Sequence, residues 1–241
     1  MNEITSRVGL LFRDSDPATR GFLGSCFCIE TPTVFLTAAH CIKDVSLDRL
    51  WVNHHGGPTP SLFSKVHRVE IVNDADIAIL VTDAPGAKWV QPFRQVRLFA
   101  NLGEHVCAFG YPDTAVCVDS PSKETPRFFR GTVQRPFIHK SKHALGSGYS
   151  AYELSFPCPH GLSGGPLFPE EDPQTVIAVV TEDLEVGSEL HYEERIDEAT
   201  GSKTVLQTRR VINYGVAANI LAATDALEAI IGAKLRIHHA V

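Results

Sequence analysis

Short stretches of alternating or continuously apolar residues recur along the 241-residue chain, separated by turns rich in Gly, Pro, Asn and Asp. Such stretches are typical of β-strands. In the first part of the chain the pattern predicts strands over residues 4–12, 22–29, 33–37, 49–53, 65–72 and 76–81. Further strands are predicted near residues 95–99, 104–110, 128–135, 150–156, 166–168, 175–181 and 211–219. The pattern therefore predicts an all-β protein.

One stretch near the end of the chain has a different period. Residues 224–232 carry apolar residues at 227, 230 and 231, and Thr224 is a candidate N-cap. This spacing predicts a short C-terminal helix.

Composition limits the fold and the function. With 44% hydrophobic and 21% charged residues, the chain can bury a sizeable core, and we expect one domain over residues 1–241. The net charge of −6 offers no basic surface for phosphates, so a nucleic acid is not an expected partner. No stretch is long and apolar enough to span a membrane, and the first residues do not resemble a secretory signal. We therefore expect a cytoplasmic protein.

A glycine-rich turn contains the serine that packing explains least well. Residues 160–167 read His-Gly-Leu-Ser-Gly-Gly-Pro-Leu, with Ser163 near the centre. Glycines on both sides allow a sharp turn. Such a turn can aim backbone N–H groups at a developing oxyanion, which is a large term in acyl transfer. Ser163 is thus a candidate nucleophile, and the amides of Gly161 and Ser163 are a candidate oxyanion hole. The alternative is an ordinary turn between two strands.

A serine nucleophile needs a base that a third group orients. Among eleven histidines, His40 follows an apolar strand, in the run Val-Phe-Leu-Thr-Ala-Ala-His-Cys over residues 34–41. Asp76 opens the apolar run Asp-Ile-Ala-Ile-Leu over residues 76–80, with Asp74 as the second choice for the acid. Taken singly, His40 can be a structural histidine and Asp76 a strand-start cap. Their order before Ser163 favours a catalytic triad.

These three blocks resemble the signature blocks of the trypsin-like, chymotrypsin-fold serine proteases. The matching residues are 37–41 (Thr-Ala-Ala-His-Cys), 76–80 and 161–166 (Gly-Leu-Ser-Gly-Gly-Pro), in the family's order. Residues 103–112 and 130–133 (Arg-Gly-Thr-Val) resemble the opening strands of the second barrel in bacterial, non-secreted Deg-type members. The resemblance covers nearly the whole chain, and three blocks in register make chance matches a poor explanation.

The resemblance implies two successive six-stranded antiparallel β-barrels and a short C-terminal helix. The first barrel would cover about residues 1–86 and the second about residues 87–241. The primary substrate pocket would have Pro157 at its floor, Thr181 on one wall, and Gly215 and Val216 on another. Because this floor has no carboxylate, we expect a small or medium apolar side chain before the scissile bond. The peptide-binding module that follows the protease in many Deg-type proteins is not visible.

The implied activity is that of a serine endopeptidase that acts on a protein or peptide substrate through an acyl-enzyme. Ser163 would attack the carbonyl, His40 would transfer the proton, and Asp76 would hold the imidazole. No cofactor and no metal are implied. Two alternatives keep the same residues: a catalytically silent binding or scaffold protein, and an esterase.

Six cysteines, at positions 26, 28, 41, 107, 117 and 158, fit buried thiols in a reducing compartment. A zinc site at Cys26, Cys28, His40 and Cys41 does not have the paired spacing of structural zinc ligands. The resemblance offers a disulfide from Cys41 to Cys26 or Cys28, which we do not expect in a cytoplasmic protein.

Control by N-terminal cleavage is not expected. Secreted members of the family become active when a new N-terminal amine pairs with an aspartate just before the serine, and here that position is Leu162. Residues 7–10 (Arg-Val-Gly-Leu) look like a cleavage junction but are predicted to form the first strand. Control can instead lie in a protein partner that shifts an inactive–active population.

Residues 181–214 are longer than the family's usual connection and predict an inserted acidic flap. Arg195 is the one Arg or Lys between residues 170 and 198, whereas Lys203, Arg209 and Arg210 follow. This asymmetry predicts a hairpin that turns at residues 198–201, with apolar residues at 190, 192 and 196 on the outgoing strand and at 205 and 211 on the returning strand.

The root of this flap, at Thr181, Glu182 and Asp183, is expected where the substrate backbone pairs with the enzyme. An acidic rim there would favour substrates or an activating partner with basic residues near the cut. A solvated loop is the alternative.

Overall fold

The computed structural model describes residues 3–14, 21–54, 62–72, 74–83, 90–112, 126–141, 148–196 and 203–238. Two closed six-stranded antiparallel sheets follow each other along the chain, and one short helix follows the second. The predicted chymotrypsin-like all-β fold is confirmed. The turn predicted at residues 198–201, and Cys117, lie outside the described residues.

The first barrel consists of β1 (Val8–Phe12), β2 (Phe22–Cys28), β3 (Val34–Thr37), β4 (Trp51–His54), β5 (Leu62–Val72) and β6 (Ile77–Thr82). The strands pair in the order β1-β2-β3-β6-β5-β4, and β4 closes onto β1. Every residue of β1 and β3 is buried, as expected for apolar and β-branched runs in a closed sheet. The pairing of β3 with β6 sets Thr37 opposite Ala78. The end of β3 therefore lies beside the start of β6.

The second barrel consists of β8 (His105–Gly110), β9 (Arg127–His139), β10 (Tyr149–Leu154), β11 (Pro166–Pro169), β13 (Ala178–Ile196) and β14 (Lys203–Asn219). Its order is β10-β14-β13-β11-β8-β9, and β9 pairs back onto β10. A small parallel sheet joins β7 (Gln95–Val96) to β12 (Thr175–Val176). The strand predicted at 95–99 is thus only two residues long.

Strands β13 and β14 extend far beyond the barrel as one antiparallel hairpin. Their pairing runs from Ala178 opposite Asn219 to Ile196 opposite Lys203, with bulges near Thr181 and Leu190. The two strands pair over their described residues, and they are longer than the predicted segments 175–181 and 211–219. Leu190 is 63% exposed, although it is apolar.

Aromatic side chains fill the contact between the two barrels. Phe93 packs edge-on against Phe27 of the first barrel, with ring centroids 5.6 Å apart. Its ring is tilted against that of Phe168 of the second barrel, with centroids 6.0 Å apart. The guanidinium of Arg7 lies 5.3 Å from the Phe93 ring centroid. Burial of three aromatic rings in one cluster fixes the two barrels against each other.

The helix α1 (Thr224–Ile231) follows a 3₁₀ turn over Ile220–Ala223. Thr224 is therefore the first residue of the helix and not its N-cap; its hydroxyl donates to the carbonyl of Leu221 at 2.9 Å. Other short 3₁₀ turns cover Glu3–Ser6, Ala39–Cys41 and Leu47–Arg49. Within the described residues, no helix has the length and apolar character needed to cross a bilayer.

Candidate active site

His40 and Asp76 meet where two neighbouring strands of the first barrel end and begin. His40 lies on the 3₁₀ turn that follows β3, and Asp76 directly precedes β6. One oxygen of Asp76, Oδ1, accepts the backbone N–H of His40 at 2.9 Å. The other, Oδ2, lies 2.6 Å from Nδ1 of the His40 ring. The carboxylate therefore fixes both the main chain and the ring of His40, whereas Asp74 is exposed.

The two partners differ in their access to solvent. The Asp76 side chain is 1% exposed and the His40 side chain is 20% exposed. An ionised carboxylate can only accept hydrogen bonds, so Nδ1 of His40 carries a proton in this pair. In the neutral imidazole, Nε2 is then the nitrogen that can accept a proton.

The pKa of His40 lies above its ordinary value of 6.5. Burial alone would lower this pKa by disfavouring the charged ring. The hydrogen bond to Asp76, the interactions with the Cys41 side chain and the negative charge of Asp76 together outweigh burial and raise the pKa. The pair thus stabilises the imidazolium that a general base forms.

Ser163 lies on a turn with two glycines in the left-handed region, Gly161 and Gly164, both with φ of 87°. A Cβ on Gly164 would lie 2.0 Å from the carbonyl oxygen of Ser25 and 2.3 Å from Oγ1 of Thr37. Only glycine fits there, because the turn lies directly against strands β2 and β3. This contact brings the serine of the second barrel to the histidine of the first.

Ser25 connects the two barrels at this turn. Its backbone N–H donates to the carbonyl of Ser163 at 2.9 Å. Its hydroxyl donates to the carbonyl of Gly161 at 2.8 Å and accepts the N–H of Tyr111 at 2.9 Å. Ser25 was not among the site residues predicted from the sequence; its one visible signal is a hydroxyl inside an otherwise apolar strand.

The N–H groups predicted to form the oxyanion hole donate no hydrogen bond within the described part of the turn. The neighbouring amides are hydrogen-bonded within the protein: the N–H of Leu162 donates to the carbonyl of Pro159, and the N–H of Gly164 donates to the carbonyl of Val180. Over the described ranges, the N–H groups of Gly161 and Ser163 have no protein acceptor. Two backbone donors next to the serine are therefore available to a ligand.

A cleft of about 380 Å³ brings the histidine and the serine together. Its lining consists of His40, Cys158, Pro159, His160, Ser163, Thr181, Glu182 and Asp183. The Ser163 hydroxyl donates to the carbonyl of Thr181, with Oγ and O 2.9 Å apart. Thr181 also donates its own hydroxyl to the carbonyl of Val216 at 3.2 Å.

The predicted pocket residues are only partly at this cleft. Thr181 lines it, whereas Pro157 is exposed and is not among the lining residues. Gly215 lies opposite Asp183, and a Cβ there would be 2.3 Å from Sγ of Cys158. Val216 is fully buried. Besides Thr181, this cleft is lined by Cys158, Glu182 and Asp183, which were not among the residues predicted for the pocket.

Five of the cysteines, at positions 26, 28, 41, 107 and 158, are free and buried. No disulfide joins Cys41 to Cys26 or Cys28. Among the described residues, no group of His, Cys, Asp and Glu could hold a metal ion.

Comparison with known proteins finds the family and the fold. The model of the trypsin-like peptidase domain matches residues 24–179. A comparison of the sequence with curated proteins finds no match.

Solved structures share the fold at low identity. The MamO protease domain from Magnetospirillum magneticum is 14% identical with a TM-score of 0.60, over 93% of this chain and 97% of that one. The active form of the Rv3671c protease from M. tuberculosis is 18% identical with a TM-score of 0.60, over 98% of this chain and 85% of that one. The HtrA-type protease AlgW is 14% identical with a TM-score of 0.60, over 95% of this chain and 66% of that one.

Proposed function

Because the chain belongs to the trypsin-like peptidase family, a family of serine proteases that act on peptides or proteins, we propose that it is an endopeptidase with Ser163, His40 and Asp76 as its catalytic triad. The observation that carries this proposal is the pair of hydrogen bonds that Asp76 accepts from the backbone N–H and the ring Nδ1 of His40, at the edge of the cleft that contains Ser163. The ring is thereby held with Nδ1 on Asp76, and Nε2 is the nitrogen that takes the proton in the proposed reaction.

The proposed reaction begins with the Ser163 hydroxyl. His40 Nε2 takes its proton while Oγ forms a bond to the substrate carbonyl carbon, and the carbonyl oxygen becomes an oxyanion. The N–H groups of Gly161 and Ser163 would stabilise that oxyanion. His40 then gives the proton to the leaving amine as the C–N bond breaks, which leaves an acyl-enzyme. Water, deprotonated by His40, attacks the ester and releases the acid.

The serine must change its hydrogen-bond acceptor before it attacks. Its hydroxyl is bound to the carbonyl of Thr181, whereas the reaction requires a bond to His40. Rotation about the serine Cα–Cβ bond is the simplest way to make this exchange. A partner or substrate that moves the root of the hairpin at Thr181 would favour it, which supports the proposal that activity responds to a protein partner.

Activity without N-terminal cleavage is supported by the surroundings of Leu162. Its side chain is fully buried in the core of the second barrel. A Cβ on Gly110 would lie 2.9 Å from its Cδ1, so the turn is anchored by close apolar packing. Residues 8–12 form strand β1, paired on both sides. A new amine at this position would have no carboxylate at Leu162 to bind.

Labelling with a fluorophosphonate probe tests the proposed function. We expect the folded protein to gain one phosphonyl group on Ser163, and the Ser163→Ala and His40→Ala variants to gain none. Absence of label on the folded wild-type protein would favour a silent scaffold. Labelled protein that hydrolyses an ester but no peptide or protein would favour the esterase.

A further inference from the structure

We propose that Asp183 determines specificity by binding a basic side chain of the substrate on the acyl side of the scissile bond. This inference rests on the proposed function, because it assigns a role within the same cleft. Asp183 lies two residues beyond Thr181, the residue that accepts the Ser163 hydroxyl. It lines the cleft together with His40 and Ser163.

The Asp183 carboxylate is held in a fixed position. Its Oδ1 accepts the backbone N–H of Cys158 at 3.0 Å. This bond ties strand β13 to the segment that leads into the Ser163 turn. Asp183 is exposed and makes no ion pair with another residue in the described ranges. A fixed, uncompensated carboxylate at the rim of a substrate cleft attracts a cation.

The wall beside the Asp183 carboxylate is formed by backbone and by the Cys158 thiol. The residue opposite on β14 is Gly215, which has no side chain. Any Cβ there would collide with Sγ of Cys158 at 2.3 Å. Burial raises the pKa of the Cys158 thiol, and the Asp183 charge raises it further, so the thiol is neutral. Asp183 is therefore the charged group of this wall.

The neighbouring carboxylate, Glu182, has a different role. Its Oε1 lies 2.6 Å from Nε2 of His139, whose ring packs edge-on against Tyr149. Successive side chains of a strand point to opposite faces, so Glu182 and Asp183 serve different positions along a bound peptide. Glu182 is already paired, which makes Asp183 the better site for a substrate cation.

This inference replaces the expectation of an apolar residue before the scissile bond. That expectation relied on Pro157 as the pocket floor, and Pro157 is exposed and outside the cleft lining. A lysine or arginine can lay its aliphatic part along Cys158 and Pro159 and place its charged end at Asp183.

Matched peptides test the role of Asp183. In a series of short acetylated alanine peptides, a single arginine is placed at a different position before the cleaved bond in each peptide. Each has a matched peptide with citrulline at the same position, which has nearly the same shape as arginine without the charge. We expect kcat/KM to favour arginine at one position by about tenfold. Asp183→Asn, whose oxygen can still accept from Cys158, should reduce that ratio to near one. Glu185→Gln, an exposed change two residues further along β13, should leave the ratio unchanged.

Equal rates with arginine and citrulline at every position, or a preference that survives Asp183→Asn, would overturn the inference. Thermal unfolding shows whether the variant is folded, and Asp183→Ser provides a second variant if it is not.

Binding of the same peptides to Ser163→Ala, with and without Asp183→Asn, gives a readout without catalysis. If the wild-type protein neither reacts with the probe nor cleaves any peptide, the proposed function fails. The arginine-to-citrulline affinity ratio then still decides the role of Asp183.

Discussion

The hydroxyl of Ser163 donates a hydrogen bond to the carbonyl oxygen of Thr181, with the two oxygens 2.9 Å apart. Thr181 is the bulged residue at which β13 leaves the barrel to form the long hairpin. Ser163 is therefore bound to the root of the long hairpin that β13 and β14 form beyond the barrel.

The hairpin should contribute more to the cleavage of protein substrates than to the hydrolysis of small ones. Replacing residues 185–209 by a short Gly-containing turn keeps the pairs at Glu182 and Asp183 but removes the exposed, charged extension. We expect hydrolysis of a small ester to stay nearly intact and cleavage of a protein substrate to fall, because the lost rim contacts only an extended substrate. Comparing kcat/KM for the two substrates measures this. Equal loss on both, or on neither, would remove this role from the hairpin.

The pH dependence should reflect the raised pKa of His40. The base acts only when it is neutral, so the acid limb of kcat/KM should have its midpoint above pH 6.5. Asp76→Asn removes the charge that favours the imidazolium. It should move the limb to lower pH and reduce kcat by about 10⁴-fold. A wild-type midpoint at or below 6.5 would contradict this account.

The same shift has a consequence for stability. Because the folded-state pKa of His40 is raised, its contribution to the free energy of unfolding is fully present below pH 6.5 and is lost as the pH rises through the folded-state value. Chemical denaturation of the wild type and of Asp76→Asn at a series of pH values above 6.5 measures the free energy of unfolding. We expect this free energy to fall with rising pH in the wild type but not in Asp76→Asn.

Ser25 should matter for catalysis as well as for stability. Ser25→Ala leaves the carbonyl of Gly161 and the N–H of Tyr111 without their partner, at a fully buried position. We expect a loss of about 1–3 kcal/mol in the free energy of unfolding, with kcat falling more than KM rises. Ser64→Ala, at a buried serine on β5, is the matched control. It should lower stability without a specific fall in kcat, and an equal kcat for both variants would contradict a positioning role for Ser25.

Replacement by alanine should be far more destabilising at Gly164 than at Gly187. The Gly164→Ala Cβ would meet the carbonyl of Ser25 at 2.0 Å with φ of 87°, whereas a Cβ on Gly187 meets nothing within 4 Å. We expect Gly164→Ala to lower the free energy of unfolding by at least about 2 kcal/mol and to abolish labelling of Ser163. Gly187→Ala should stay within about 0.5 kcal/mol of the wild type. Similar unfolding midpoints for the two variants would show that the turn does not lie against β2 and β3.

The regular elements could be predicted because their signal is local. The apolar runs 33–37 and 76–81 correspond to strands Val34–Thr37 and Ile77–Thr82, and the segment 224–232 to the helix Thr224–Ile231. The hairpin followed from a length and a charge asymmetry within one segment. Its two bulges, near Thr181 and Leu190, did not, because a bulge depends on how the two strands pair and not on apolar alternation.

The fine structure of the cleft could not be predicted because its contacts join residues far apart in the chain. Ser25 binds Gly161 across 136 positions, and His139 binds Glu182 across 43. The position of Asp183 relative to Cys158 depends on the bulge at Thr181, which no sequence pattern marks. The pairing of His40 with Asp76 was expected from their places beside apolar runs, from their order before Ser163 and from the resemblance of the blocks that contain them.

The central claim is that peptide bonds are cleaved through an acyl group on Ser163. The most direct test is the mass of the intact protein during turnover of a peptide ester, quenched with acid, followed by mapping of the modified residue. The account predicts a gain equal to the acyl group on the fragment that contains Ser163. It also predicts that Ser163→Ala shows no such gain, with kcat lower by on the order of 10⁶. An acyl group on another residue, or wild-type turnover by Ser163→Ala, would contradict it.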